Sequence, residues 1–155
     1  MLGKKATLLT AGDVMSSDVI AINETEDVWS AIKTLIAHDI TGAPVLGASG
    51  QLVGVISQTD LVRYFEDRAA KLPDFYSDSE RDVGLPASGR SALVRDLMTR
   101  RVIKADEDES IDKVSRTMLI QKVHRVIITR GGRLAGIVTT MDILRAAQHF
   151  GGQSD

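Results

Sequence analysis

Two short segments of the chain contain the same residue types in the same order, and these types suit the binding of a nucleoside. Residues 54–60 and 136–142 each run from a glycine through two β-branched residues to a hydroxyl residue, then to an aspartate three positions later. A glycine lets the backbone approach a ligand closely. Free N–H groups at a helix start attract an anion, whereas a carboxylate repels phosphate but accepts the hydrogen bonds of a ribose diol. Each segment therefore predicts a site that separates sugar from phosphate. The candidate ligand residues in these segments are Ser57, Thr59, Asp60, Thr139 and Asp142.

A helix cap is the competing interpretation of the same spacing. Ser57 to Asp60 and Thr139 to Asp142 have the separation of a capping box, with Asp where Glu or Gln is usual. Capping and ligand binding can coexist, because a carboxylate has two oxygens.

A second candidate group lies before the next predicted strand, and here the two halves of the chain differ. The first half has Thr41, Gly42 and Ala43 followed by a proline, whereas the second has His124 and Arg125. Histidine offers a titratable ring and arginine a permanent, forked cation. The alternative is an ordinary surface His-Arg pair at the start of an edge strand.

The chain repeats itself, which explains why these groups occur twice. A shift of 83 positions places Asp13 on Asp96 and Met15 on Met98. After a one-residue deletion in a turn, a shift of 82 places residues 54–60 on residues 136–142. Substitutions between the copies mostly keep the residue class, so the sequence predicts a duplicated structural unit.

Each copy is predicted to fold in the order strand, helix, strand, turn, strand, helix. Apolar residues recur with helical spacing from Val28 and again from Ile111. Glycine-containing turns separate the later runs and indicate hairpins. The predicted strands are residues 19–22, 43–46, 52–56, 102–105, 126–129 and 134–138.

The repeats divide the chain into two units and a connection. We expect one repeat over residues 8–66, a linker over residues 67–91 and a second repeat over residues 92–150. The linker has the proline, glycine, serine and mixed charges typical of such segments. Neither repeat has an obvious core of its own, since units of about 55 residues bury little surface alone. We therefore expect the two to pack as one pseudo-symmetric module.

The chain resembles a tandem pair of cystathionine-β-synthase (CBS) domains. The resemblance is carried by residues 13–15 and 96–98 at the repeat starts and by the two segments 54–60 and 136–142. It implies an α/β fold (α+β) in which two pseudo-symmetric β-α-β-β-α repeats pack through their sheets. It also implies a regulatory module whose two clefts bind adenosine-containing ligands, commonly AMP, ADP, ATP or S-adenosylmethionine. A homodimer joined through helices into a flat disc is implied as well.

The same resemblance assigns roles to the second candidate group. The small residues Thr41, Gly42 and Ala43 resemble the family pattern that leaves room for an adenine. His124 and Arg125 resemble the phosphate-binding pair of nucleotide-sensing relatives and would serve the cleft whose ribose carboxylate is Asp60. We therefore expect two unequal sites. Ile20 and Ile103, at matching places in the two repeats, complete the candidate binding residues.

Several functional classes are disfavoured by what the sequence lacks. A formal net charge of −2 gives no broad basic field, so no nucleic-acid partner is expected. The chain has no cysteine, and His38 and His149 lack a second ligand at helical spacing, so no metal site is expected. Familiar catalytic motifs are absent, and we expect no enzyme activity. With no signal-peptide core and no run of about 18 apolar residues, we expect a cytoplasmic protein without membrane insertion.

The sequence thus favours a sensor of adenine nucleotides that transmits occupancy to a separate, unidentified partner protein and needs no obligatory cofactor. A ligand-independent interaction module is the alternative from a different class. S-adenosylmethionine or a cyclic dinucleotide remains open as the ligand.

Overall fold

The computed structural model describes residues 8–69 and 92–151, so residues 70–91 of the predicted linker lie outside the described residues. The described residues form six helices and six strands. The helices are α1 (Ala11–Val14), α2 (Val28–Ala37), α3 (Gln58–Ala69), α4 (Val94–Leu97), α5 (Ile111–Gln121) and α6 (Thr140–Gly151). The strands are β1 (Ile22–Asn23), β2 (Gly42–Leu46), β3 (Leu52–Ser57), β4 (Lys104–Asp106), β5 (Arg125–Arg130) and β6 (Arg133–Thr139).

The strands form two three-stranded sheets with the same order. Strand β1 pairs parallel with β2, which neighbours β3, and β4 pairs parallel with β5, which pairs antiparallel with β6. The connection from β5 to β6 is the pair Gly131-Gly132, with φ of 56° and 78°, a left-handed backbone that glycine adopts without strain. The predicted mixed α/β fold, with a β-α-β-β-α pattern in each repeat, is confirmed.

The first strand of each repeat begins later than predicted. Strand β1 is Ile22–Asn23 rather than residues 19–22, and β4 is Lys104–Asp106 rather than residues 102–105. Shortly before these strands, Ser16 and Thr99 already pair with Ile137 and Val55. The β-branched residues 19–20 and 102–103 therefore connect these isolated pairs to β1 and β4 and are not themselves part of a sheet.

The described chain forms two compact units that do not coincide with the sequence repeats. The sheet-1 unit contains residues 20–49, 53–69 and 92–101, and the sheet-2 unit contains residues 8–19, 50–52 and 102–151. The opening segment of each repeat, including α1 or α4, thus belongs to the unit that holds the other repeat's sheet. The boundaries 8–66 and 92–150 stay predictions about the sequence repeats.

Equivalent backbone hydrogen bonds attach α1 and α4 within their units. In both units, two N–H groups from the short helix donate to carbonyls in the turn before the amphipathic helix. The bonds are Ala11 N to Glu109 O at 2.8 Å, Gly12 N to Glu107 O at 2.8 Å, Val94 N to Glu26 O at 2.8 Å and Arg95 N to Glu24 O at 3.0 Å. Their partners are related by the shift of 83, so the duplication extends to the attachment itself.

Each unit has its own hydrophobic core, and each core includes the attached segment. Val94 and Met98 lie in the sheet-1 core with exposed fractions of 0% and 8%, and Ala11 lies in the sheet-2 core at 0%. Burial of a valine side chain stabilises by about 1.5–3 kcal/mol. Each core is drawn mainly from one sequence repeat and is completed by the opening segment of the other, which differs from the expectation that neither repeat has an obvious core of its own.

Candidate functional site

The first predicted ligand segment ends β3 and begins α3, and its aspartate caps the helix. Asp60 Oδ2 accepts hydrogen bonds from Ser57 N at 2.8 Å and from Ser57 Oγ at 2.8 Å. In return, Asp60 N donates to Ser57 Oγ at 3.4 Å. The capping interpretation is thus confirmed for this carboxylate, and it uses only one of the two oxygens.

The second segment, between β6 and α6, has the same arrangement. Asp142 Oδ2 accepts from Thr139 N and Thr139 Oγ1, both at 2.8 Å, and Asp142 N donates to Thr139 Oγ1 at 3.3 Å. The strand-to-helix turns at residues 57–60 and 139–142 are called the Asp60 corner and the Asp142 corner. Since both aspartates cap through Oδ2, Oδ1 is the atom at which the two corners can differ.

Oδ1 does have different neighbours in the two units. Asp60 Oδ1 accepts from the hydroxyl of Thr99 at 3.3 Å. Asp142 Oδ1 lies 3.3 Å from Arg145 Nη1, an ion pair in which the Asp142 side chain is 16% exposed and Arg145 is 68% exposed. The Thr99 hydroxyl is a neutral partner that another hydroxyl, such as that of a ribose, can replace. The Arg145 guanidinium instead compensates the negative charge of Asp142.

Sequence reasoning did not single out Thr99 as a site residue. Its backbone pairs with Val55 through two bonds, Val55 N to Thr99 O at 2.9 Å and Thr99 N to Val55 O at 2.8 Å, which bring its hydroxyl to Asp60. Ser16 is equivalent in the sheet-2 unit and makes the same pair of bonds, both at 2.9 Å, with Ile137. The signal was available, because the shift of 83 aligns these two hydroxyl residues directly after Met15 and Met98.

The glycines of the two segments serve this pairing rather than the ligand approach that we expected. A Cβ on Gly54 would lie 2.8 Å from Met98 Sδ and 2.9 Å from Thr99 O. A Cβ on Gly136 would lie 2.6 Å from Met15 Sδ and 2.7 Å from Ser16 O. Only glycine allows the neighbouring segment to come this close, so these residues position the hydroxyl groups indirectly.

The residues before the hairpins contact the first residue of the helix that follows the hairpin in their own unit. In the sheet-1 unit, Gln58 N donates to Thr41 O at 2.9 Å, and a Cβ on Gly42 would be 3.0 Å from Ile56 O. The small size of Gly42 is therefore already required by the close approach of β2 to the end of β3. Ala43 is buried in the core at 4% exposure.

The histidine-arginine pair has the equivalent place in the sheet-2 unit. Thr140 N donates to His124 O at 3.0 Å, and Arg125 is opposite Thr139 in the β5–β6 ladder. Both side chains are exposed. The service of this pair to the Asp60 cleft stays a prediction.

The remaining candidates occupy less distinctive positions. Thr59 is exposed on the first turn of α3, and Ile20 and Ile103 are half-buried before the first strand of each sheet. Ile103 packs against the sheet-2 core and accepts a bond from Ile127 N at 3.3 Å. Their contact with a ligand stays a prediction.

Within residues 8–69 and 92–151, no cluster of three or more His, Asp or Glu side chains is arranged to hold a metal ion. None of the helices in this described part is long and apolar enough to cross a membrane.

Comparison with known proteins agrees with the duplicated architecture. The model of the CBS domain family matches residues 11–67 and 94–149. The uncharacterized protein MJ1426 of Methanocaldococcus jannaschii is 30% identical over an alignment 156 positions long, and the match covers 86% of this chain and 88% of that protein. The uncharacterized protein MJ1225 of the same organism is 29% identical over 133 residues, covering 86% of this chain and 41% of that protein. The match therefore spans less than half of this longer relative.

Solved structures share the fold over most of the chain. The CBS domain pair of protein MJ0100, in complex with 5′-methylthioadenosine and S-adenosyl-L-methionine, has a TM-score of 0.68 and 27% identity. The alignment covers 95% of this chain and 99% of that one. The structure of CBSX2 in complex with AMP has a TM-score of 0.70 at 24% identity and covers 92% of this chain and 98% of that one. At this lower identity the likeness concerns the fold alone.

Proposed function

The chain belongs to the CBS domain family and contains two copies of the domain, and from this premise we propose that it senses adenine nucleotides and transmits their binding to a partner protein. The family membership makes it a regulatory ligand-binding module. The choice of AMP, ADP or ATP, the response of a partner and a cytoplasmic location are the parts that we propose.

The observation that carries the proposal is the duplicated corner around Asp60 and Asp142. Each carboxylate is held by a capping pair through Oδ2, so Oδ1 is oriented without further ordering cost. An oriented carboxylate accepts hydrogen bonds from the 2′- and 3′-hydroxyls of a ribose, and hydrogen bonds to charged groups contribute about 1.5–3 kcal/mol. We assign the ribose-binding role to these two residues, with the hydroxyl of Thr99 as a neighbouring contact of Asp60.

The nature of the ligand is supported by a relative and by this chain's own charges. The domain pair of MJ0100 holds two molecules that both contain adenosine. His124 and Arg125 are exposed at the start of β5, where the Arg125 guanidinium supplies a cation and the His124 ring a hydrogen-bond donor. Both groups suit phosphate oxygens, which a thioether nucleoside lacks. We therefore propose phosphate-bearing nucleotides as the first choice and S-adenosylmethionine as the second.

A homodimer is part of the same proposal. Each unit has exposed apolar residues on its two amphipathic helices: Ile36 and Val62 are 73% and 55% exposed, and the equivalent Leu119 and Leu144 are 78% and 59% exposed. Such pairs of faces suit association with a second copy, as the family resemblance implies. Light scattering on the purified protein would measure twice the mass of 16.8 kDa if the proposal holds.

The direct test is thermal unfolding with and without millimolar AMP, ADP, ATP, S-adenosylmethionine and GTP. Ligand at about 100 times its Kd adds roughly 2.7 kcal/mol, a rise of several degrees in Tm. Asp60→Asn keeps a capping oxygen but replaces the other acceptor with a donor. We expect it to weaken nucleotide binding about tenfold or more. Asp142→Asn tests the second corner separately.

Asp96→Asn is the matched control, because Asp96 also caps a short helix, accepting from Leu93 N at 3.1 Å, without a proposed ligand contact. It should leave nucleotide binding unchanged. Equal weakening by all three substitutions, or no Tm rise with any adenosine compound, would refute the proposed sensor and favour an interaction module that binds no nucleotide.

A further inference from the structure

A cavity of about 560 Å³ lies within the sheet-2 unit, between the segment that contains α1 and one face of α6. Its polar lining consists of Asp13, Asp142, Arg145 and His149. Its apolar lining consists of Leu9, Val14 and Ala146. The volume is within the range of small-molecule sites. Only Asp142 is shared with the proposed nucleotide site, so the other polar groups have no function assigned so far.

Two of the lining positions carry different residue types in the first repeat. The shift of 82 places Tyr64 on Ala146 and Asp67 on His149. Tyr64 packs against the sheet-1 core and against the ring of Phe65, with centroids 5.2 Å apart. The first repeat thus has a phenol ring at the position where the second repeat has the methyl group that lines the cavity.

The charges around the cavity are of both signs and are already oriented. Asp13 accepts from Thr10 N at 2.9 Å and from Thr10 Oγ1 at 3.1 Å, both through Oδ2. Asp142 is held in the same way through its own Oδ2. Arg145 contacts Asp142 with one nitrogen, and its guanidinium has five N–H donors in all. His149 follows one helical turn later on the same face.

This combination selects a class of ligand by charge. An anion alone would meet two carboxylates, and a cation alone would meet the guanidinium. An apolar ligand would remove four polar groups from water without replacing their hydrogen bonds, which is costly. A zwitterion satisfies both signs, because a carboxylate pairs with an arginine fork and an ammonium pairs with aspartates.

We propose that this cavity binds the α-amino acid group of a small molecule with an apolar side chain. The ligand's carboxylate pairs with Arg145 and His149, its ammonium pairs with Asp13 and Asp142, and its side chain packs on Leu9, Val14 and Ala146. The amino acid group can belong to a free amino acid or to the tail of an adenosyl compound. The second source alone rests on the proposed nucleotide function, since its ribose binds Asp142 and its ammonium pairs with Asp13 alone.

Amide chemical-shift titration of the full chain tests the proposal and separates the two sources. The probes are L-leucine, its decarboxylated analogue 3-methylbutylamine and its deaminated analogue 4-methylpentanoate. We expect saturable shifts in α1 and α6 with leucine. Each analogue should bind at least about tenfold more weakly than leucine does. In a second arm, stronger binding of S-adenosylhomocysteine than of 5′-methylthioadenosine identifies the adenosyl tail as the source.

Two substitutions and a control locate the binding. Ala146→Tyr introduces the residue of the other repeat and should abolish the leucine-induced shifts, while Arg145→Ala should weaken binding without filling the space. Arg63→Ala, the matched position in the sheet-1 unit, should leave binding unchanged. Tm measurements establish that each variant is folded.

The proposal is overturned if leucine and S-adenosylhomocysteine bind no better than the molecules that lack the amino acid group. It is also overturned if folded Ala146→Tyr binds as the wild type does. Either result leaves the nucleotide test at Asp60 unaffected, so the two proposals fail independently.

Discussion

The corner around Asp60 and the corner around Asp142 share a backbone frame but differ in chemistry. Both aspartates cap a helix through Oδ2. In both units a glycine, Gly54 or Gly136, lets the segment after the short helix approach closely. At Oδ1, however, one meets the hydroxyl of Thr99 and the other meets the guanidinium of Arg145. Backbone hydrogen bonds and close approaches have been kept in both repeats, while exposed side chains have diverged.

The helices that the two aspartates cap, α3 and α6, also differ in their side chains. Tyr64 in α3 packs on the sheet-1 core, whereas the equivalent Ala146 in α6 lines a cavity of the sheet-2 unit. Under the two proposals made above, the duplicated frame sets where a ligand binds, and a few side chains of different size and charge decide which ligand it is. Substitutions that exchange or remove such features test how far the equivalence extends.

The frame itself is tested by Gly54→Ala and Gly136→Ala, which we expect to have the largest effect. The added methyl would overlap a methionine sulfur and a carbonyl oxygen at 2.6–2.9 Å in both units. Overpacking of this kind costs about 1–3 kcal/mol, which lowers Tm by about 2–4 °C per kcal/mol for a chain of this size. Thermal unfolding checks the prediction.

Gly131→Asn is the control, since nothing lies within 4 Å of the added Cβ and asparagine tolerates the positive φ of 56°. It should shift Tm far less. A large loss for only one of the two buried glycines would break the equivalence of the two attachments.

The caps of the two amphipathic helices should differ in their response to pH. Asp27 caps α2 by accepting from Trp29 N at 2.9 Å and Ser30 N at 3.0 Å, whereas Ser110 caps α5 by accepting from Lys113 N at 3.3 Å. Hydrogen bonds from the backbone and side chain of Ser30 hold the pKa of Asp27 below its ordinary value. The stabilisation by Asp27 is therefore complete above the unfolded pKa of about 3.9 and is lost as pH falls through the lower folded value.

Asp27→Ser should abolish this acid sensitivity, while Ser110→Ala should lower stability by about 1 kcal/mol at every pH. Tm measured from neutral to acidic pH separates the two behaviours. A Ser110→Ala effect that vanished in acid would contradict the distinction between the caps.

The smallest expected effect concerns an exposed ion pair present in one unit. Arg130 contacts Glu107 through Nε at 2.5 Å and Nη2 at 2.6 Å, and this hydrogen bonding holds the pKa of Glu107 below its ordinary value. The matching position to Arg130 is Gly47, so Glu24 has no equivalent partner there. Because the folded pKa is lowered, the pair stabilises above the unfolded pKa and is lost in acid.

Arg130→Met should reduce stability slightly at neutral pH and converge with the wild type in acid. High salt should reduce the difference, because exposed charges are screened. The same substitution effect in acid and at neutral pH would assign the role of Arg130 to packing instead.

Much of the fold followed from periodicity and duplication. The helical spacing from Val28 and Ile111 predicted α2 and α5, and glycine turns predicted both hairpins. The early strand starts were wrong because β-branched residues favour extended backbone whether or not a neighbouring strand is there to pair with them. The role of Gly54 was misassigned because its neighbour, Thr99, lies 45 residues away in sequence.

Local sequence determined the two repeats, their caps and the residue types of both aspartate corners, since these depend on contacts a few residues apart. Only the tertiary structure decided that α1 and α4 complete cores built around the other repeat's sheet. It alone placed Thr99 against Asp60. It also placed Ala146 in the lining of a cavity, whereas the equivalent Tyr64 packs on the sheet-1 core. These features depend on which distant segments are neighbours, and a sequence repeat states that two segments are alike without stating what either one contacts.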